Sequence, residues 1–372
     1  MAEYDGEKTR SVTVPPAQAA DDVRLIAFYL PQYHPIPEND LWWGKGFTEW
    51  NNVVKARPLF PGHYQPHLPA DLGFYDLRLP EARAAQADLA RAYGIHGFCY
   101  CHYWFNGKRL LQRPLEDVLA LKQPRFPFCI CWANESWTRR WDGGSNEVLM
   151  PQQHTLPDDI AFIDSLIPYF SDERYIRVDG KPLLLVYRTA LFPEPRRTAE
   201  TWRARMLKAG IGELYLVQVE SFSIGGNPNL NGFDAAVQFP GHKVPLSAVR
   251  QITVSGKTQP CKAFDIDGIS QSVLSQESDY TLFRGVLVSW DNTPRAGNLG
   301  SIFVNGTPQK YGAWLRQAVA DTRAGFRPAE RLVFIAAWNE WAEGNHLEPD
   351  QRYGLEYLAA TKAALSNDQN EK

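Results

Sequence analysis

Eight short apolar runs recur along this chain, separated by polar loops and amphipathic stretches, and that alternation is what most restricts its fold. The runs are residues 24–30 (RLIAFYL), 97–103 (GFCYCHY), 126–133 (FPFCICWA), 182–187 (PLLLVY), 214–219 (LYLVQV), 233–239 (FDAAVQF), 285–290 (GVLVSW) and 332–338 (LVFIAAW). Several are almost uninterrupted hydrophobic segments, the pattern of parallel strands covered on both faces. Helical periodicity is clearest in residues 80–93, which open with Pro80 and stop before Gly94, and it recurs in 199–209 and 311–324. Eight β/α alternations predict an α/β fold of the closed kind, a single (β/α)8 TIM barrel, rather than an open doubly wound sheet. The 372 residues suit one such barrel. Its expected limits are 23–365, with loosely ordered tails over 1–22 and 366–372.

Two connections are far longer than ordinary loops: residues 31–79 after the first run and 240–280 after the sixth. On a barrel both lie at the C-terminal face, where catalytic residues gather. The first carries Trp42, Trp43, Trp50, His34, His63 and His67. No G-x-G-x-x-G or phosphate-binding loop follows a strand, so a dinucleotide or nucleotide cofactor is not expected.

Aromatic usage narrows the function. The chain holds 12 Trp, 16 Tyr and 19 Phe, and Trp42, Trp43, Trp50, Trp104, Trp132, Trp137, Trp141, Trp290, Trp338 and Trp341 fall in a few short segments. A buried indole N–H must find a partner, so Trp clustered beside polar residues suits a cleft that stacks on sugar faces. Large core or rim residues account for about half of them equally well. The net charge of -3 gives no basic field for nucleic acid. No segment approaches the length of a membrane span, and residues 1–22 lack the apolar stretch of a secretion signal, which predicts a cytoplasmic protein. The pairs Cys99/Cys101 and Cys129/Cys131 each fall on one face of a strand. C-x-C within a strand is a poor zinc geometry, so these are read as buried thiols, and no metal is expected.

The strand ends carry the chemistry. The eighth run leads into WNEWAEG, with Glu340 and Glu343 three residues apart. One helical turn there points both carboxylates into the barrel mouth, and paired carboxylates, one protonated and one ionised, are what glycosidic cleavage requires. Trp338 and Trp341 would desolvate them. The same spacing also fits an ordinary first turn of a helix, where Glu is favoured by the dipole. In SWDNTPR after the seventh run, Asp291 and Arg295 either bind sugar hydroxyls or, for Asp291, cap a turn before Pro294. In WANESW after the third, Asn134 and Glu135 suit substrate hydrogen bonds, or a structural pairing of Glu135 with Arg139 or Arg140. Tyr29, Gln32, Tyr33, His34, Glu49, Trp50, Tyr103, Trp104 and Asn339 complete the candidate contacts.

These segments resemble the WbsX-like, or glycoside hydrolase family 99-like, family. The resemblance runs from about Arg24 to Leu355 and rests on AFYLPQYHPIPENDLWWGKGFTEWNNV, YGIHGFCYCHYWFNGKRLL, CWANESWTRRWDG, SWDNTPR and AAWNEWAEGNHLEPD. It implies a (β/α)8 barrel acting on an oligosaccharide or polysaccharide, in a group whose members sit in O-antigen gene neighbourhoods and are often labelled glycosyltransferases. Family 99 proper comprises retaining, endo-acting α-mannosidases and mannanases with a motif similar to WNEWHEG. Carried over, Glu340 acts as a base on the sugar 2-hydroxyl, which attacks C1 to give an epoxide, and Glu343 protonates the leaving oxygen and later activates water. This sequence has Ala342 where that motif has His. The expectation is a retaining, endo-acting α-glycoside hydrolase. The alternatives are a glycosyltransferase of surface-polysaccharide assembly, against which stands the lack of a nucleotide-binding Gly-rich turn, and a non-catalytic glycan-binding barrel.

Overall fold

The computed structural model describes residues 23–139, 147–221, 226–241, 245–254, 257–258 and 261–366. Both tails, save Ser366, and also Arg140 and Trp141, lie outside the described residues. Eight parallel strands close into a barrel: β1 (Arg24–Tyr29), β2 (Ile95–Phe105), β3 (Phe128–Trp132), β4 (Lys181–Val186), β5 (Tyr215–Glu220), β6 (Ala235–Gln238), β7 (Leu282–Leu287) and β8 (Leu332–Ala336). β8 pairs with β1 through Arg24↔Leu332 to Ala27↔Ile335, and β1 pairs with β2, so no edge remains. All eight predicted strands are present. Their near-continuous burial is the reason they were legible as unbroken apolar runs. β7 begins and ends about three residues earlier than its run suggests, which moves Trp290 and Asp291 into the loop beyond it.

The helices outside the barrel are α1 (Pro80–Ala92), α2 (Arg113–Leu121), α3 (Leu156–Ser165), α4 (Pro195–Lys208), α5 (Ile266–Leu274), α6 (Pro308–Gly325) and α7 (Glu356–Leu365). Thr155 and Thr307 cap α3 and α6 by accepting from the amides of Asp158 and Lys310, each at 3.3 Å. The fifth unit departs from the pattern. Among the described residues, β5 and β6 are joined by only a single 3-10 turn, Pro228–Asn231, and no α-helix. Gly226, Pro228 and Gly232 bound that stretch, and the Asn227 side chain takes the Asn229 amide for a turn, so the local chemistry breaks helices. At Gly285 any side chain is excluded: a Cβ there would lie 2.0 Å from the Gln238 carbonyl oxygen of β6.

The first long connection folds over the barrel mouth, where Glu49 meets Arg295. It forms two short helices, Pro37–Trp43 and Glu49–Lys55, the second capped by the reciprocal Thr48–Asn51 box. The other long connection contributes a strand, Lys262–Asp265, that pairs with Ser301–Val304 beyond β7. Among the described residues no helix is long and apolar enough to cross a membrane.

Candidate active site

The chain leaving β8 does not enter a helix. Asn339–Glu340 pairs antiparallel with Asn345–His346, and Trp341–Glu343 forms a 3-10 turn between them. Gly344 closes that turn at φ 58, and a Cβ there would also lie 3.0 Å from the Cβ of Asp291, so both conformation and space call for glycine. The Asp291 amide donates to the Glu343 carbonyl at 2.6 Å, which presses the hairpin against the loop after β7. Behind it, Trp341 is buried and donates its indole N–H to Glu348 at 2.6 Å. Tyr33 donates its hydroxyl to the Asn339 carbonyl. Asn339 takes the Leu30 amide at 2.8 Å and donates to the Leu30 carbonyl at 3.0 Å, clamping β8 to the end of β1.

Glu340 and Glu343 share one cation. Arg295 donates to Glu343 Oε1 at 2.6 Å and to Glu340 Oε2 at 3.3 Å, while its Nε donates to Glu49 Oε1 at 2.8 Å. Glu49 is fully buried at the start of its helix, and Gln32 also donates to it, at 3.2 Å. Burial opposes the Arg295 charge, but Glu49, Glu343 and Glu340 outweigh it and hold the guanidinium well above its usual range. Three carboxylates around one cation leave an excess of negative charge. Burial, then the neighbouring Glu343, pushes Glu340 up to about 8, with Arg295 opposing. Burial also raises Glu343, against the closer pull of Arg295. Their side chains are 19 % and 20 % exposed, enough to meet a ligand.

That exposure opens on a cavity of about 380 Å³ in the barrel mouth. Of the candidates named from sequence, Glu340, Glu343, Tyr103, Glu135, Trp137, Trp290 and Arg295 line it. Glu135 pairs with Arg188, whereas Arg139 pairs with Glu147. The other candidates stand behind the wall. Tyr29 donates to Gln86 at 2.7 Å, Trp50 to the Tyr75 carbonyl at 2.8 Å and Trp104 to Asp158 at 3.0 Å. Tyr33, Asn339 and Trp341 brace the hairpin, Trp338 is fully buried against Phe98, and His34 is buried beside β1. Trp338 and Trp341 therefore do not cover the carboxylates from the cavity side. Trp42 packs edge-on against Trp137, and Trp43 lines a small crevice beside Glu49. Asn134 clamps β3 to the chain after β4 by bonding both the amide and the carbonyl of Arg188. Asp291 takes the turn-capping role: it accepts from the Thr293 amide and hydroxyl, and from Gln65, and it pairs with His63.

The rest of the cavity lining was not among the candidate contacts named from sequence, and Cys101 and Cys131 were read only as buried thiols. Tyr187 and Phe239 follow β4 and β6, Asn345 follows the hairpin turn, and Cys101 and Cys131 face inward from β2 and β3. Each occupies or follows the C-terminal end of a barrel strand, a signal that would have found them had every strand end been treated alike. The five cysteines form no disulfide, and burial holds the Cys99 and Cys101 thiols well above their usual range.

A family model described as "Glycosyltransferase WbsX" matches residues 25–361. The chain belongs to the WbsX family. Two relatives named "Uncharacterized protein WxcX", from two strains of Xanthomonas campestris pv. campestris, are 48% identical over 344 and 348 residues. The matches cover 92% of this chain and 49% of theirs, so the chain spans about half the length of these curated relatives. A solved "Glycoside hydrolase-like protein" superposes with a TM-score of 0.58 at 14% identity, covering 96% of this chain and 98% of its own. The GH99 endo-α-mannosidase from Bacteroides thetaiotaomicron superposes with a TM-score of 0.57, also at 14% identity, covering 92% and 96%. These likenesses show that this WbsX chain shares the (β/α)8 barrel fold of both structures.

Proposed function

We propose that this chain is a glycan-active enzyme, a retaining and endo-acting hydrolase of α-glycosidic bonds in a mannan-like or related bacterial polysaccharide. The observation that carries this reading is the Glu340–Glu343 pair, one turn apart on the cavity wall, raised together and tied to one buried Arg295. Such a pair holds one proton near neutral pH, so it offers an acid and a base side by side. Trp137, Trp290 and Tyr103 give the cavity aromatic faces, and Glu135 supplies acceptors for sugar hydroxyls.

In the mechanism the family resemblance implies, Glu340 takes the proton of the 2-hydroxyl as that oxygen attacks C1. Glu343 gives its proton to the departing oxygen. Water then opens the epoxide, losing a proton to Glu343 while Glu340 returns one to the 2-oxygen. The resting electrostatics lean the other way, because Arg295 holds Glu343 closer than Glu340 and so favours the proton on Glu340. Leaving-group dependence separates the two assignments. A substrate with an activated aryl leaving group needs no acid in its first step, so the Gln variant of whichever residue is the acid still releases the aryl group in a first-turnover burst, whereas the variant of the base does not.

The description of the matching family model favours a second reading, transfer of a sugar rather than hydrolysis. Mass spectrometry of products from α-linked mannose and rhamnose oligosaccharides, with a melting-shift screen of sugar nucleotides alongside, divides the two. Shortened oligosaccharides without any nucleotide response support the hydrolase. A nucleotide response with no shortened product supports the transferase.

A further inference from the structure

Against the hairpin after β8 lies a second cavity of about 440 Å³, lined in part by His63, His67, Asp291, His346 and Asp350. His67, His346 and Asp350 are all buried there, and one ligand atom from each lies within 4.8 Å of the others. His67 Nδ1 is 2.9 Å from His346 Nε2, and His346 Nε2 is 3.9 Å from Asp350 Oδ2. We infer that these three side chains form a binding site for a divalent transition cation, zinc by preference, that pins the hairpin carrying Glu340 and Glu343.

The chemistry of each donor supports the site. His346 Nδ1 lies 2.9 Å from the Glu348 carbonyl, which can only accept, so that nitrogen carries the proton and Nε2 presents its lone pair. A ring nitrogen fixed by a backbone carbonyl is the usual arrangement behind a metal-bound imidazole. Asp350 is oriented by the amides of Arg352 and Tyr353, which donate to Oδ1 at 3.0 and 2.6 Å, with Oδ2 on the histidine side. The 3.9 Å gap between Asp350 and His346 is too long for a hydrogen bond. Two ligands of a tetrahedral zinc, each about 2.0–2.1 Å from the ion, stand about 3.3 Å apart, between the two observed separations. Two histidines and one carboxylate with a further position facing a cavity make a three-ligand set. The cation would join the long loop after β1, through His67, to the chain after β8, where His346 stacks on Trp341 at 3.7 Å.

The test uses the full chain, dialysed against a chelator and titrated with zinc chloride by calorimetry and with cobalt chloride by visible absorption. One ion per chain is expected, with a cobalt spectrum of nitrogen and oxygen ligation and no thiolate charge-transfer band. His67→Gln and Asp350→Asn should each weaken binding by at least about tenfold. The cobalt spectrum of the unsubstituted chain keeps the test decisive should a variant misfold. Absence of stoichiometric binding, unchanged affinity in both variants, or a thiolate band would each overturn the site.

Discussion

β3 and β8 end in nearly the same words, WANESW and WNEWAEG, and the structure treats their first parts alike. Trp132 and Trp338 are both fully buried. Asn134 and Asn339 make the same two-way clamp, each bonding the amide and carbonyl of one residue just beyond the neighbouring strand, Arg188 in one case and Leu30 in the other. The glutamates that follow part company. Glu135 meets Arg188 in a pair whose side chains are 23% and 27% exposed. Glu340 meets Arg295, whose side chain is 7% exposed and is already held by Glu49 and Glu343. Asn-Glu after a barrel strand is thus a structural device, and the company of the Glu decides whether it is chemically poised.

The sharpest way to break this contrast is to remove each cation. Arg295→Met leaves Glu49 buried without a counter-charge and should cost about 3–5 kcal/mol in urea unfolding, together with most of the activity. Arg188→Met removes a partly solvated pair and should cost no more than about 1 kcal/mol. Comparable losses would mean that the two sites do not differ as described.

The Asn clamps should behave alike. Asn339→Ala and Asn134→Ala each strand a buried amide and carbonyl, at about 1–3 kcal/mol apiece by the same measurement. A loss confined to one of them would show that the shared geometry conceals unequal roles.

Titration gives a subtler separation. Glu340 is held at about 8 in the folded chain, above its unfolded value. Its favourable share of stability is therefore complete below the unfolded pKa and is lost as pH rises through about 8. Glu348, buried among Trp341, Gln86 and Tyr75 and raised to about 7, acts in the same direction. Glu340→Gln should reduce the stability lost between pH 5 and pH 9 by roughly 1–3 kcal/mol, measured by denaturant unfolding at both values.

Much of this was legible in the sequence, for identifiable reasons. The strands were readable because burial on both faces makes them continuous apolar runs. The Glu340–Glu343 spacing was readable because it is local. What binds that pair is not local: Glu49 and Arg295 are 246 residues apart and meet only because the first long loop folds back over the mouth. The tryptophans misled in part. Trp137 and Trp290 line the cavity, whereas Trp50, Trp104 and Trp341 spend their indole N–H groups on partners behind it. Spacing also gave no hint of His67 beside His346, because the contact depends on the hairpin after β8.

The central claim is that the β8 pair cuts glycosidic bonds and the β3 glutamate does not. The measurement that tests it most directly is mass spectrometry of one α-linked oligosaccharide after incubation with wild type, Glu340→Gln, Glu343→Gln and Glu135→Gln, all verified as folded. Shortened products from wild type and Glu135→Gln, with none from the other two, are the predicted result. Cleavage by Glu340→Gln or Glu343→Gln at the wild-type rate would contradict it.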